Sequence, residues 1–329
     1  STINGNAFGR ISAIDLESWG SPLWTYNATL IDWKTIEKCQ SGGVACNPAY
    51  HGLNGTIATN TFVPSAYISA ISAAARNVFG MPENLDLNGP VSEGFGNLPR
   101  NIEVIGSVPF RQDSYSKYLK PVLVRPNLDV MDKSFVQTLN IKNNDKHEVI
   151  FERRGAILKV RAKKEVILAA GAFGNPIIMQ SSCIGDCDYL ESATNCDCQV
   201  NNSQVGKNLG DSVLTSMQFA SPFPSANNTP GTIAAGFYKS PGFVNVSGGP
   251  NMEVAFASIA PGGNVILLQL TQLRHSGVGE VKLYNNNPNQ RPLVTFNFYA
   301  NPNEALELVD QFKKVRQTFA SLNAQGFLF

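Results

Sequence analysis

The chain has 329 residues, of which 43% are hydrophobic and only 16% charged, with a formal net charge of +1. Such a chain can bury one large core or two ordinary ones. Its charge balance offers no electrostatic footing for nucleic acid, and no such partner is expected. Its longest apolar runs, "GNVILLQL" and "EVILAAGA", are far too short to span a membrane, and the N-terminus lacks the charged-then-apolar pattern of a signal peptide.

Three textures follow one another along the chain. The first is loop and helix: "AIDLESWG", "LIDWKTIEKC", then "SAYISAISAAARNVFG", whose small and apolar spacing suits a helix packed closely on a neighbour. The second, from about Phe110 to Asp211, reads as α/β. "RQDSYSKYLKPVL" predicts a helix, "NLDVMDKSFVQTLNI" a strand pair, and "EVIFERRGAILKVR" a hairpin that feeds a buried strand of a parallel sheet, Val166 to Leu168. Small residues from Ala169 to Ala172 end that strand and admit a ligand or another backbone. A helix is then expected with Asn175 as its cap and Pro176 at its first position. In the third texture, Ser212 onward, "NMEVAFASIA", "NVILLQLTQL", "GEVKLYN" and "PLVTFNFY" predict an antiparallel sheet, closed by a helix after Asn301.

The six cysteines form a close pair, Cys39 and Cys46, and a cluster, Cys183, Cys187, Cys196 and Cys198. Pairing within each group is the preferred reading, with free thiols and zinc as alternatives, because the spacings lack a C-x2-C knuckle. Disulfides imply an oxidising, secreted or extracellular setting. Glycosylation sequons at Asn27, Asn54, Asn201, Asn227 and Asn245 point the same way, although roughly four arise by chance in an Asn-rich chain of this size.

Several motifs, taken in order, resemble the glucose-methanol-choline (GMC) oxidoreductases, flavoenzymes that oxidise alcohols. "INGNAFGRISAIDLESW" is similar to the family's flavin-side loop, and "YHGLNG" to its His-Gly-x-x-Gly turn. "VRPNLDV", "GAFGNPIIMQSSCIG" and "VGKNLGD" match further elements, with Asn175 and Cys183 departing from the family's usual Ser/Thr and Gly, and Ser212 standing where a His is common. The second cysteine cluster stands where the family has an ordinary surface loop.

The resemblance implies a partial FAD-binding, Rossmann-like α/β domain joined to an α+β, antiparallel-sheet substrate domain. Its implied divisions are 1–50 (flavin-side loop and helices), 51–100 (part of the substrate or cap domain), 101–211 (FAD-binding α/β portion) and 212–329 (substrate sheet and closing helix). The implied cofactor is FAD, bound by Asn4, Gly5, Asn6 and Ala7 along the flavin and pyrophosphate, by the backbone of Val136 at the adenine, and by Ala170 and Gly171 below the adenosine. These groups are therefore expected side by side. Backbone amides freed by glycine, with an Asn side chain, can serve phosphate or flavin oxygens without adding charge.

The family's G-x-G-x-x-G turn does not occur in the sequence, and its catalytic His lies beyond the closing helix. The chain is thus expected to be a central part of a longer protein, with the missing N- and C-terminal segments as partners and a small alcohol as substrate. No residue is assigned as catalytic and none as a metal ligand. His51, His147 and His275 all read as loop or surface residues. The alternative function is a non-catalytic scaffold, a shell or fibre component or other homo-oligomeric assembly, built on the same fold.

Overall fold

The computed structural model describes residues 6–41, 43–62, 66–141, 147–220, 233–240, 248–258, 265–287 and 289–326. They fall into two compact units: residues 1–125, 212–275 and 302–329 form the first, and residues 126–211 and 276–301 the second.

The first unit is built on a five-stranded antiparallel sheet. Its order is Val213–Ala220, Val265–Gln272, Met252–Ser258, Ile233–Tyr238 and Gly94–Asn97. Alternation drives its packing: Met252, Val254 and Phe256 on one strand and Ile266, Leu268 and Leu270 on the next are buried on one face, with at most 2% exposed. Two helices cover that face. Ala66–Phe79 contributes Tyr67, Ile68, Ile71, Ala75 and Phe79 at helical spacing, and Asn303–Ala324 contributes Leu308, Val315, Phe319 and Leu322. Each large apolar side chain buried there contributes roughly 1.5–3 kcal/mol.

The closing helix also buries Glu304, Glu307 and Gln311. Glu307 accepts hydrogen bonds from Asn251 at 2.7 Å, from Gln272 at 2.9 Å and from Ser240, while Tyr238 donates to Gln311. Burial pushes the Glu307 carboxyl above its ordinary range, against these donors.

The second unit holds an antiparallel sheet of Ser134–Asn140, Glu148–Arg153 and Ala156–Arg161, the helix Gly171–Ser181 packed beside the first of those strands, and a three-stranded sheet of Lys207–Leu209, Gly279–Lys282 and Leu293–Thr295. Gln180 fastens the helix to the last sheet. Its amide donates to Val281 O at 2.9 Å and accepts from Leu283 N at 2.8 Å.

Several expectations need correction. Val166 to Leu168 form no strand and are not buried, and Ile167 is 78% exposed. No described strand pairs with this segment, so the ladder that would define it is missing. The helix begins at Gly171 rather than at Asn175, and Pro176 lies inside it. Asn175 caps the preceding chain instead: it accepts from Ala170 N at 2.7 Å and donates to Leu168 O at 3.3 Å. "NLDV" is not a strand, and Ser134–Asn140 stands without the expected sequential partner. The strands of "GEVKLYN" and "PLVTFNFY" join Lys207–Leu209 rather than the five-stranded sheet.

Cys39 and Cys46 are joined by a disulfide, as are Cys187 and Cys198. Cys183 and Cys196 are not bonded, which corrects the expectation that all four later cysteines pair. Their thiols are neighbours, and burial followed by the Cys196 contact pushes the Cys183 thiol up to about 12. Asn27, Asn54 and Asn201 are exposed, while Asn227 and Asn245 lie outside the described residues.

Candidate functional site

In the first unit, Asn4 and Gly5 lie outside the described residues, and the account of the flavin-like loop begins at Asn6. Asn6 has a left-handed backbone, with φ of 66°, and its carbonyl accepts from Asn101 N at 2.8 Å. Ala7 bridges to Arg100, and Phe8 N donates to Pro99 O at 2.7 Å. The loop is thereby fixed along residues 99–101. Among the described residues, no hydrogen-bond donor reaches the buried side-chain oxygen of Asn6 or that of Asn101. Two such acceptors on paired residues leave room for donors from a bound group. A cofactor with ribityl hydroxyls and a flavin N–H supplies such donors, so these residues fit FAD.

Beyond the loop, Arg10 enters a buried ionic network that sequence spacing does not reveal. Arg10 donates to Glu37 Oε2 at 2.6 Å and to Tyr50 O at 2.8 Å, with both side chains at most 3% exposed. His51 Nδ1 lies 2.9 Å from Glu37 Oε2, and its Nε2 lies 3.0 Å from Asp86 Oδ2. Both ring nitrogens face carboxylates, which only accept, so both must carry protons. Burial opposes that charge, but the Asp86 and Glu37 hydrogen bonds outweigh it and raise His51 to about 9. Glu37 shifts the other way. Burial lifts its carboxyl, and His51 and Arg10 overcome that to hold it below the ordinary value.

His51 is therefore not a surface residue but a buried imidazolium. The motif around it explains the geometry: a Cβ at Gly52 would fall 1.8 Å from Lys34 O, and one at Gly55 2.3 Å from the Ile36 carbonyl carbon. Glycines at both positions let the turn lie against Glu37–Cys39, delivering His51 to Glu37. Sequence spacing gives no hint that Glu37 and Asp86, 14 and 35 residues away, meet it.

The same cluster brings Glu37, Cys39 and His51 ligand atoms together. It does not suit a metal. Cys39 Sγ is in a disulfide, and both Glu37 oxygens already accept hydrogen bonds, from Thr59 at 2.9 Å and from Arg10 and His51.

The network fixes one wall of a cavity of about 410 Å³. Asn88 accepts from Arg10 N at 2.9 Å and donates to Phe8 O at 2.7 Å, while Asn88 N donates to Asp86 at 3.1 Å. His51 thus holds Asp86, Asp86 holds Asn88, and Asn88 holds the Phe8–Arg10 backbone. Across the cavity, Ser12 caps the helix Ala13–Ser18 through Asp15 N, and Asp15 pairs with Arg274.

In the second unit the adenosine-side candidates gather around one helix. Gly171 opens it with φ of +83° and open space where a Cβ would point, so glycine is there for the backbone turn. Ala170, just before it, is exposed. Val136 pairs with Phe151, and a register shift between Val136 and Thr138 interrupts the ladder beside it. The extra residue of that bulge is Gln137, while Val136 itself stays in register with Phe151. A second cavity, of about 370 Å³, lies between Asn175, Pro176 and Met179 of the helix and Gly206 to Gly210.

Comparison with known proteins shows the family. The sequence profile of the GMC oxidoreductases matches residues 1–214, and the chain belongs to that family. An oxygen-dependent choline dehydrogenase from Paraburkholderia xenovorans is 26% identical over 352 residues, covering 96% of this chain and 61% of the relative. One from Burkholderia thailandensis is likewise 26% identical over 353 residues, with the same coverage. The chain thus spans about 61% of the length of these curated relatives.

Among solved structures, pyridoxine 4-oxidase from Mesorbium loti has a TM-score of 0.81 at 20% identity, covering 97% of this chain and 64% of the other. A fungal aryl-alcohol oxidase has a TM-score of 0.80 at 16% identity, covering 99% and 69%. An FAD-dependent oxidoreductase from Chaetomium thermophilum has a TM-score of 0.80 at 18% identity, covering 97% and 68%. At these identities the likeness is one of fold, and the mixture of antiparallel sheets and packed helices is the GMC arrangement.

Proposed function

We propose that this chain is the central part of a secreted, FAD-dependent oxidoreductase that oxidises an alcohol. The observation that carries the reading is the loop at Asn6, a left-handed turn with a buried acceptor that no donor among the described residues satisfies, directly after the Asn4-Gly5 pair in sequence. Asn4 to Ala7 would hold the flavin side, and Val136, Ala170 and Gly171 the adenosine side. FAD, when bound, supplies the acceptor for the hydride leaving the alcohol carbon.

The chain's own residues hold and orient. His51, kept as a cation between two carboxylates, cannot accept the hydroxyl proton, and its part is to fix the Phe8–Arg10 wall. We place the base on a segment outside these 329 residues, in keeping with the greater length of the relatives.

The test is anaerobic titration of the longer parent protein with alcohols while flavin absorbance is followed. Bleaching by an alcohol is expected, and Asn6→Ala should lower the flavin retained on purification. A parent that carries no flavin, or a flavin that no alcohol bleaches, would overturn the proposal.

A further inference from the structure

We infer that the 410 Å³ cavity of the first unit receives the body of an uncharged, apolar alcohol, and that it excludes cationic ones. This rests on the proposed function above and adds the substrate class. The argument is one of charge and surface. Ile11, Trp19, Leu87, Leu98, Phe237 and Leu273 supply the apolar lining. Trp19 is 56% exposed and Ile11 36%, so large apolar surface stands in contact with solvent around the cavity. Soluble proteins hide such surface unless something binds there, and clefts of a few hundred Å³ with apolar walls and few polar groups are where small ligands bind.

The charged groups on the lining come already neutralised. Asp15 is paired with Arg274, and Arg10 with Glu37. Among the described residues no other charged side chain lines the cavity. A quaternary ammonium entering it would lose hydration without gaining a free carboxylate, because Asp15 already accepts from Arg274 and from Ser12 Oγ, the latter at 2.5 Å. A carboxylate would meet the same difficulty at Arg274. A neutral alcohol loses little on entry, and Ser12, Asn88 and Ser92 offer polar atoms for a hydroxyl.

The direct experiment is calorimetric titration of the protein containing this chain with benzyl alcohol and with choline as probes. Benzyl alcohol should bind saturably, and choline should not. Filling the cavity from either of two lining positions, Ser92→Trp or Ser18→Trp, should weaken benzyl alcohol binding by about tenfold or more, roughly 1.4 kcal/mol. Removing the partner of Asp15 with Arg274→Gln should create choline binding. Choline binding to the unaltered protein as tightly as benzyl alcohol, or tryptophan substitutions without effect on a variant that still melts cooperatively, would overturn the inference. Benzyl alcohol binding that is blocked by Ser92→Trp in a protein whose flavin no alcohol reduces would support the cavity assignment and sink the proposed function alone.

Discussion

Replacing His51 with Gln should abolish a specific pH dependence of stability. In the folded protein His51 titrates at about 9, against an ordinary value of 6.5. The folded state therefore holds the proton more tightly than the unfolded chain. The stabilisation is present in full below pH 6.5 and fades as pH rises through 9. A difference of that size corresponds to roughly 3 kcal/mol.

The measurement is urea unfolding of the native protein and of His51→Gln across pH 6 to 10, taking the difference at each pH to cancel the shared Lys, Tyr and Cys titrations. At neutral pH the variant should be less stable by about 3–5 kcal/mol, because Asp86 loses its cation and buried Glu37 is left with Arg10 alone. The gap should narrow as pH climbs to 10. Asp86→Asn, which removes one of the two carboxylates, should keep the dependence but move its midpoint lower. A gap that stays constant with pH would show that His51 is neutral in the fold and refute the network.

Three further outcomes are expected. Thiol titration of the denatured, unreduced protein should find two free thiols, with peptide mapping placing bridges at Cys39–Cys46 and Cys187–Cys198. Gly206→Ala should destabilise the protein by more than about 1 kcal/mol, since φ is +82° and an added Cβ would fall 2.1 Å from Val281 O; an unchanged melting curve would mean that this backbone is free to move. Residues 1–329 expressed alone should bind a hydrophobic dye and self-associate through the exposed Ile157, Leu158, Val160 and Ile167, and Ile167→Lys should reduce both signals; a monomer that binds no dye would sink this expectation.

The sequence by itself determined the elements whose evidence is local. Alternation in "NMEVAFAS" and "NVILLQL" marked two central strands, helical spacing marked Ala66–Phe79 and Asn303–Ala324, and the turn of "ERRGAI" marked a hairpin, because burial on one face writes a period into the chain. Short motifs with fixed spacing were enough for the family. Closeness in sequence also marked the disulfide of Cys39 with Cys46.

Only the tertiary structure decided the rest. Whether "EVILAA" is a strand depends on a neighbour to pair with, which no local pattern reports. That Gly279–Lys282 joins Lys207–Leu209 follows from long-range pairing. The polar chemistry was least legible of all. Arg10, Glu37, His51 and Asp86 are unremarkable apart, and they become a buried ion network only because two glycines let the His51 turn close on Glu37. Apolar burial leaves a periodic trace in sequence, whereas a hydrogen bond between distant side chains leaves none, so the charge state of His51 was fixed by the fold alone.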